Sequence, residues 1–218
     1  MYILIVSATH NEVNSTAEWL QKVNNNAAGN ELELLVTGVG STATAHALTR
    51  LISERTPELV IQAGIGGSFK EEWSPGSVVL VKDEVFADLG AFNGNEFDDI
   101  FDLGLAAADE RPFLSRRLVN PDIDKWKHVQ LPFVHGATVN NISADTKQLV
   151  AIAHKYNADV ESMEGAALHY TCLMEEIPFI QVRAISNFAG ERNKGLWKMP
   201  EAIHALNEVV RRIVTGER

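Results

Sequence analysis

Residues Asp159–Tyr170 read DVESMEGAALHY, and one segment later Phe179–Gly190 reads FIQVRAISNFAG. The second stretch sets the fold class. Its run from Phe179 to Ala184 is short, partly β-branched and mostly apolar, as a strand covered on both faces has to be. Tyr2–Val6, Leu32–Val36, Leu59–Gln62, Val78–Val81 and Phe133–His135 share that character and predict, with it, one central sheet. Between these runs apolar residues recur at helical spacing: Ala47, Leu48, Leu51 and Ile52 within Ser41–Arg55, and Leu149, Ile152 and Ala153 within Asp145–Tyr156. Ser41 and Ser143 are the expected N-caps of these two helices. From Pro200 onward Ile203, Leu206, Val210 and Ile213 mark a closing amphipathic helix. Strands alternating with helices predict an α/β protein with a substantially parallel sheet.

The chain has 218 residues, 45% of them hydrophobic, enough for a buried core and within the usual size of one domain, so residues 1–218 are expected to form a single unit. Nineteen lysines and arginines stand against 29 acids, a net charge of −10. That balance argues against nucleic acid, whose phosphates need a basic surface, and leaves a small molecule as the expected partner. Cys172 is the single cysteine, so no intramolecular disulfide can form and a cytoplasmic setting is expected; its pattern suits a small core residue better than a nucleophile. The opening MYILIVSATHNE turns polar after Val6, far short of the roughly 20 apolar residues a membrane span needs, and it lacks a basic leader. Neither export nor a membrane is expected.

Two strand ends run into glycine, TGVGST at Thr37–Thr42 and QAGIGGSF at Gln62–Phe69. Glycine lets a ligand lie against main chain, and strand C-termini of α/β sheets are where ligands commonly bind. Neither loop has the GxGxxG or GK[ST] pattern of a dinucleotide or phosphate cradle, so tight packing explains either one equally well. Residues Asp88–Asp124 mix acids, glycines and phenylalanines without a sustained period; so long an excursion suits a lid or a subunit contact.

SATHNEV at Ser7–Val13, TGVG at Thr37–Gly40, AGIGG at Ala63–Gly67, VESMEGAA at Val160–Ala167 and RAISN at Arg183–Asn187 occur in the order and spacing of the purine nucleoside phosphorylase and nucleosidase superfamily. The chain resembles that family over nearly its whole length. The resemblance implies a three-layer α/β/α fold with a central mixed, largely parallel sheet, a nucleoside substrate, no metal or organic cofactor, and a homo-oligomer. The tail ISNFAGERNKGLW at Ile185–Trp197 is similar to the futalosine hydrolase group, which releases hypoxanthine from futalosine in menaquinone biosynthesis.

Cleavage of an N-glycosidic bond passes through an oxocarbenium-like sugar, so the enzyme must hold the ribose hydroxyls, activate water and stabilise the departing base. The resemblance assigns Glu164 to the ribose hydroxyls with Met163 packed on the sugar, Glu12 to the attacking water, and Asn187 to the base. Gly64 and Gly66 of AGIGG, together with Val139, complete the expected substrate-binding set. Each has a plainer alternative. A carboxylate such as Glu164 at a helix start gains roughly 0.3 to 1 kcal/mol with no ligand present. Glu12 suits a capping charge, and Asn187 a loop cap after a strand. Glu161 is a further acid close to the site.

Adenine-specific members of the family carry aspartate where this chain has Asn187. An amide cannot protonate N7, but it can donate to N7 and to a 6-oxo oxygen, favouring hypoxanthine or guanine over adenine. The phosphorylases of the family hold phosphate with arginines and a serine; here Ile65 occupies the glycine loop and no arginine stands in SATHNE or just before Ala63, so hydrolysis is expected. Arg50 and Arg183 remain as possible anion ligands, Arg50 being better suited to the surface. Futalosine carries a carboxylate-bearing arm, for which Arg192 is the preferred partner over Lys194. The rival readings are a methylthioadenosine or adenosylhomocysteine nucleosidase, a purine nucleoside phosphorylase, and a nucleoside-binding module without turnover.

Overall fold

The computed structural model of the chain describes residues 1–93, 96–142 and 145–217. In chain order it places β1 (Tyr2–Ser7), α1 (His10–Lys22), β2 (Asn26–Ala27), β3 (Asn30–Val36), α2 (Ser41–Glu54), β4 (Leu59–Ser68) and β5 (Val78–Glu84). There follow β6 (Gly90–Asn93), β7 (Glu96–Asp99), β8 (Leu118–Val119), β9 (Phe133–Thr138) and α3 (Thr146–Tyr156). The chain ends with β10 (Val160–Ser162), α4 (Gly165–Met174), β11 (Phe179–Phe188) and α5 (Met199–Thr215).

The main sheet has the order β10-β9-β5-β11-β4-β1-β3-β2, with β8 on β5. Its centre is parallel, β3, β1, β4 and β11 running together, while β5 runs antiparallel to β11, so the sheet is mixed. Alternation along β1 explains its unbroken apolarity. Ile3 and Ile5 face one core with Val13 of α1 and Leu206 and Val210 of α5, whereas Leu4 and Val6 face another with Leu48 and Ile52 of α2 and Leu168 and Cys172 of α4. Helices therefore cover both faces, as the α/β/α expectation requires.

The sheet also turns back on itself. Beyond its pairing with β1, β4 continues through AGIGGS, and its far end pairs antiparallel with β10, Val160 opposite Ser68 and Glu161 opposite Gly67. Glycine makes this approach possible: a Cβ on Gly66 would stand 2.8 Å from both the Glu161 carbonyl oxygen and Val160 Cγ1. That closure brings VES of Val160–Ser162 beside the glycine loop and beside β11.

Two local expectations need correction. Ser41 does not cap α2; Gly40 is the N-cap, and the Ser41 hydroxyl donates instead to the Met163 carbonyl at 3.4 Å. Ser143 lies outside the described residues, and the cap of α3 is Asp145, whose side chain accepts from the Lys147 amide. The excursion Asp88–Asp124 packs on the far end of α4, where Phe113 meets Phe101 and Tyr170, and the Arg111 guanidinium donates to the carbonyls of Leu173 and Met174. None of its described residues lines the central cavity.

Candidate active site

A cavity of about 320 Å³ opens where β1, β4, β10 and β11 end. It takes its polar lining from Glu12, Glu161, Glu164, Asn187 and Glu191, and its apolar lining from Val39, Ile65, Ile142, Met163, Trp197, Met199 and Ile203.

Glu12 enters it from the first turn of α1. Thr9 and Glu12 form a reciprocal capping box, so the plain capping role is present. The carboxylate nevertheless lines the cavity, only 7% exposed. Its Oε2 accepts from the Thr9 amide at 2.9 Å, the Thr9 hydroxyl at 2.8 Å and the Ser7 hydroxyl at 3.3 Å, while Oε1 accepts from the Ile65 amide at 3.1 Å. Four donors from two strand ends and a cap fix its position.

Glu164 precedes α4 and is 5% exposed. Oε1 accepts from the Gly40 amide at 3.1 Å and Oε2 from Arg183 Nη1 at 3.3 Å. Gly40 presents that amide from φ 93°, a conformation that favours glycine, so the TGVG turn has a direct task. Arg183 is 1% exposed; its Nη1 also donates to the Ile65 carbonyl at 3.2 Å, and its Nε and Nη2 have no partner among the described residues. A buried guanidinium with unused donors is costly unless the site needs its charge. Arg183 is thus a buried cation beside Glu164. Arg50, by contrast, is exposed and paired with Glu54.

Asn187 sits after an irregularity in the β11–β4 register between Ile185 and Asn187, which turns its side chain into the cavity. The Ser186 hydroxyl donates to its Oδ1 at 2.7 Å, and its Nδ2 donates to the Phe188 carbonyl at 2.8 Å. One amide hydrogen is already committed, so a single N–H is left for a base, where the sequence had suggested two.

Met163 and Gly66 line the cavity; Gly64, Val139 and Arg192 do not. Gly64 faces the Arg183 guanidinium, and a Cβ there would overlap Nη1 and lie 3.3 Å from Glu12 Oε1. Val139 is fully buried among Val85, Ala87, Ala137 and Ile152, because its strand end turns that side chain into the core. Arg192 and Lys194 are exposed, Arg192 next to the lining residues Gly190 and Glu191. His135 pairs with Asp83 and His169 with the Leu118 carbonyl, both outside the cavity lining. The sequence had left Ile142, Met199 and Ile203 unassigned to the site, since an apolar wall residue looks like core until its surroundings are known. Trp197 is held by its indole N–H, which donates to the Glu191 carbonyl at 2.9 Å. No group of three or more potential metal-ligating side chains occurs among the described residues.

Similar proteins share this architecture. A futalosine hydrolase of Thermus thermophilus is 33% identical over 84% of this chain and 81% of its own length. A 5'-methylthioadenosine/S-adenosylhomocysteine nucleosidase of Bacillus cereus is 28% identical over 84% and 81%. Among solved structures, the 5'-methylthioadenosine/S-adenosylhomocysteine nucleosidase of Neisseria meningitidis, in complex with methylthio-immucillin-A, superposes with a TM-score of 0.81 at 19% identity over 99% of each chain. The family profile itself matches residues 4–215, which takes in every strand of the cavity, and the chain belongs to the phosphorylase superfamily.

Proposed function

We propose that this protein hydrolyses the N-glycosidic bond of futalosine, releasing hypoxanthine. The observation that carries the reading is the convergence of Glu12, Glu164 and Asn187 on one cavity. Resemblance to a futalosine hydrolase at 33% identity supports the choice of substrate.

Glu164, held by Gly40 and Arg183, keeps lone pairs for the vicinal ribose hydroxyls, and its negative charge favours the cationic sugar of the transition state. Met163 packs on the sugar. Glu12 orients the attacking water and takes its proton, since its oxygens are fixed in the cavity wall on the side of Ile65. Asn187 donates its remaining N–H to the purine as charge builds on the base, and a 6-oxopurine shares that charge with O6, so full protonation of N7 is not required. Arg192, exposed beside Gly190 and Glu191, stands at the rim where the anionic arm of futalosine would reach. Residues 1–218 act as one nucleosidase domain without metal or organic cofactor. Buried Cys172 suits the cytoplasm, and exposed Leu105 and Leu114 suit a homo-oligomer.

Product analysis tests this directly. Purified protein is incubated with futalosine, inosine and methylthioadenosine, each with and without phosphate. Phosphate-independent hypoxanthine from futalosine is expected; adenine from methylthioadenosine as the main product, or release that needs phosphate, would overturn the assignment. Glu12→Gln should abolish turnover while ligand binding persists, and a protein that binds futalosine but never cleaves it is a binding module.

A further inference from the structure

Helix α1 breaks immediately after Glu12: Val13 has φ −127° and ψ 16°, outside the helical range. In an unbroken helix the Thr16 amide would donate to the Glu12 carbonyl. Here the side chain of Asn207, on α5, stands between those two groups. Its Oδ1 accepts from the Thr16 amide at 2.9 Å and the Thr16 hydroxyl at 2.5 Å, and its Nδ2 donates to the Glu12 carbonyl at 2.8 Å. Nδ2 also donates to the Ile203 carbonyl at 2.6 Å, one turn back on α5. Two contacts as acceptor and two as donor satisfy this amide, which is only 3% exposed. A side chain inserted into the helix ladder is a physical cause of a kink. Adhesion of the two helices does not require it. Val13 and Leu20 of α1 already share an apolar core with Leu206 and Val210 of α5, and a leucine at 207 would leave the Thr16 amide and the Glu12 carbonyl free to bond each other.

We propose that Asn207 is a positioning residue for the hydrolytic step: by bridging Glu12 and Thr16 it holds α1 bent and keeps the Glu12 carboxylate turned into the cavity against the Ile65 amide. This role rests on the assignment of Glu12 to the attacking water. Asn207 itself does not line the cavity, but α5 supplies Met199 and Ile203 to its wall. Through the Ile203 carbonyl, Asn207 therefore fixes Glu12 relative to a wall that the substrate touches.

The test compares wild type, Asn207→Leu, Asn207→Asp and Val210→Ala in steady-state kinetics and thermal melts, on whichever of futalosine, inosine and methylthioadenosine the wild type cleaves. Asn207→Leu lets α1 close its own bond, and Asn207→Asp keeps the acceptor for Thr16 but sets a second acceptor against the Glu12 carbonyl. Both should lower kcat by about 100-fold, the cost of misplacing a reacting group by roughly 1 Å, while KM stays within about 3-fold because the residues assigned to sugar and base are untouched. Val210→Ala loosens the same helix pair without reaching Glu12, so it should lower the melting temperature and leave kcat close to wild type. A role confined to joining the helices would lower the melting temperature of Asn207→Leu and spare kcat, or would cut kcat equally in Val210→Ala; either result overturns the proposal. Should neither Asn207 variant fold, Thr16→Val, which removes one donor from the bridge, should lower kcat by roughly 2-fold to 12-fold at unchanged KM, and an unchanged kcat would overturn it. Glu12→Gln, run alongside, separates the two claims. Full kcat in that variant would refute the assignment of Glu12 and this role with it, whereas its loss beside full kcat in folded Asn207→Leu would refute the role of Asn207 alone.

Discussion

Gly64→Ala probes the charge arrangement beneath the sugar site from behind the cavity wall, where the added Cβ meets Arg183 first and stands 3.3 Å from Glu12 Oε1. A Cβ at this position would overlap Arg183 Nη1 and come within 3.2 Å of its Cζ. Nη1 is the atom that bonds both Glu164 at 3.3 Å and the Ile65 carbonyl at 3.2 Å. Because the guanidinium is 1% exposed, it has no open solvent into which to withdraw, and the methyl cannot be seated unless Nη1 moves away from Glu164. A hydrogen bond to a charged group contributes about 1.5 to 3 kcal/mol, so losing this one should cost roughly 10-fold to 150-fold in kcat/KM. Steady-state kinetics with futalosine, paired with a thermal melt, reads both the catalytic and the structural effect. Unchanged kcat/KM at an unchanged melting temperature would refute the reasoning, showing either that Arg183 moves freely or that its contact with Glu164 contributes nothing to the transition state.

Asn187→Asp should shift preference towards 6-amino nucleosides, lowering the 6-oxo to 6-amino ratio of kcat/KM by roughly 5-fold to 150-fold; an unmoved ratio would mean that Asn187 does not meet the base. Glu84 is wholly buried, accepting from Gln181 Nε2 at 2.8 Å and the Thr138 hydroxyl at 3.0 Å, and burial raises its pKa from an ordinary 4.5 to about 7. Between those values the folded protein holds a proton that the unfolded chain has released, so stability should fall as pH rises through that window, and melts of Glu84→Gln should show a shallower fall than wild type. Burial drives the Cys172 thiol far above its ordinary pKa, so thiol reagents should label it only after unfolding; rapid labelling of the native protein would show that α4 opens.

Much of the sheet could be read from the chain because β1, β4, β5, β9 and β11 are buried on both faces and so carry nearly continuous apolar runs. Helix α1 was harder: HNEVNSTAEWLQK is largely polar and bends at Val13, so its period is weak. Strand β10 has three residues and no pattern of its own. Its place follows from Gly66, where the missing side chain admits it, and nothing local to VES announces that pairing.

The amino-acid sequence by itself determined the α/β alternation, the family motifs and the residue types at the site, because covalent order and side-chain chemistry are local properties. It thereby named Glu12, Met163, Glu164 and Asn187, which the fold brings into one cavity. Only the tertiary structure decided what each side chain faces. It turned Val139 into the core, set Gly64 behind Arg183, spent one amide hydrogen of Asn187 on Phe188, and left Arg192 exposed outside the cavity lining. It also set Glu161 across Gly67 from Asn187, two residues 26 positions apart in the chain and joined only through a third strand. Such neighbours are created by strand pairing, a long-range interaction that no window of sequence contains.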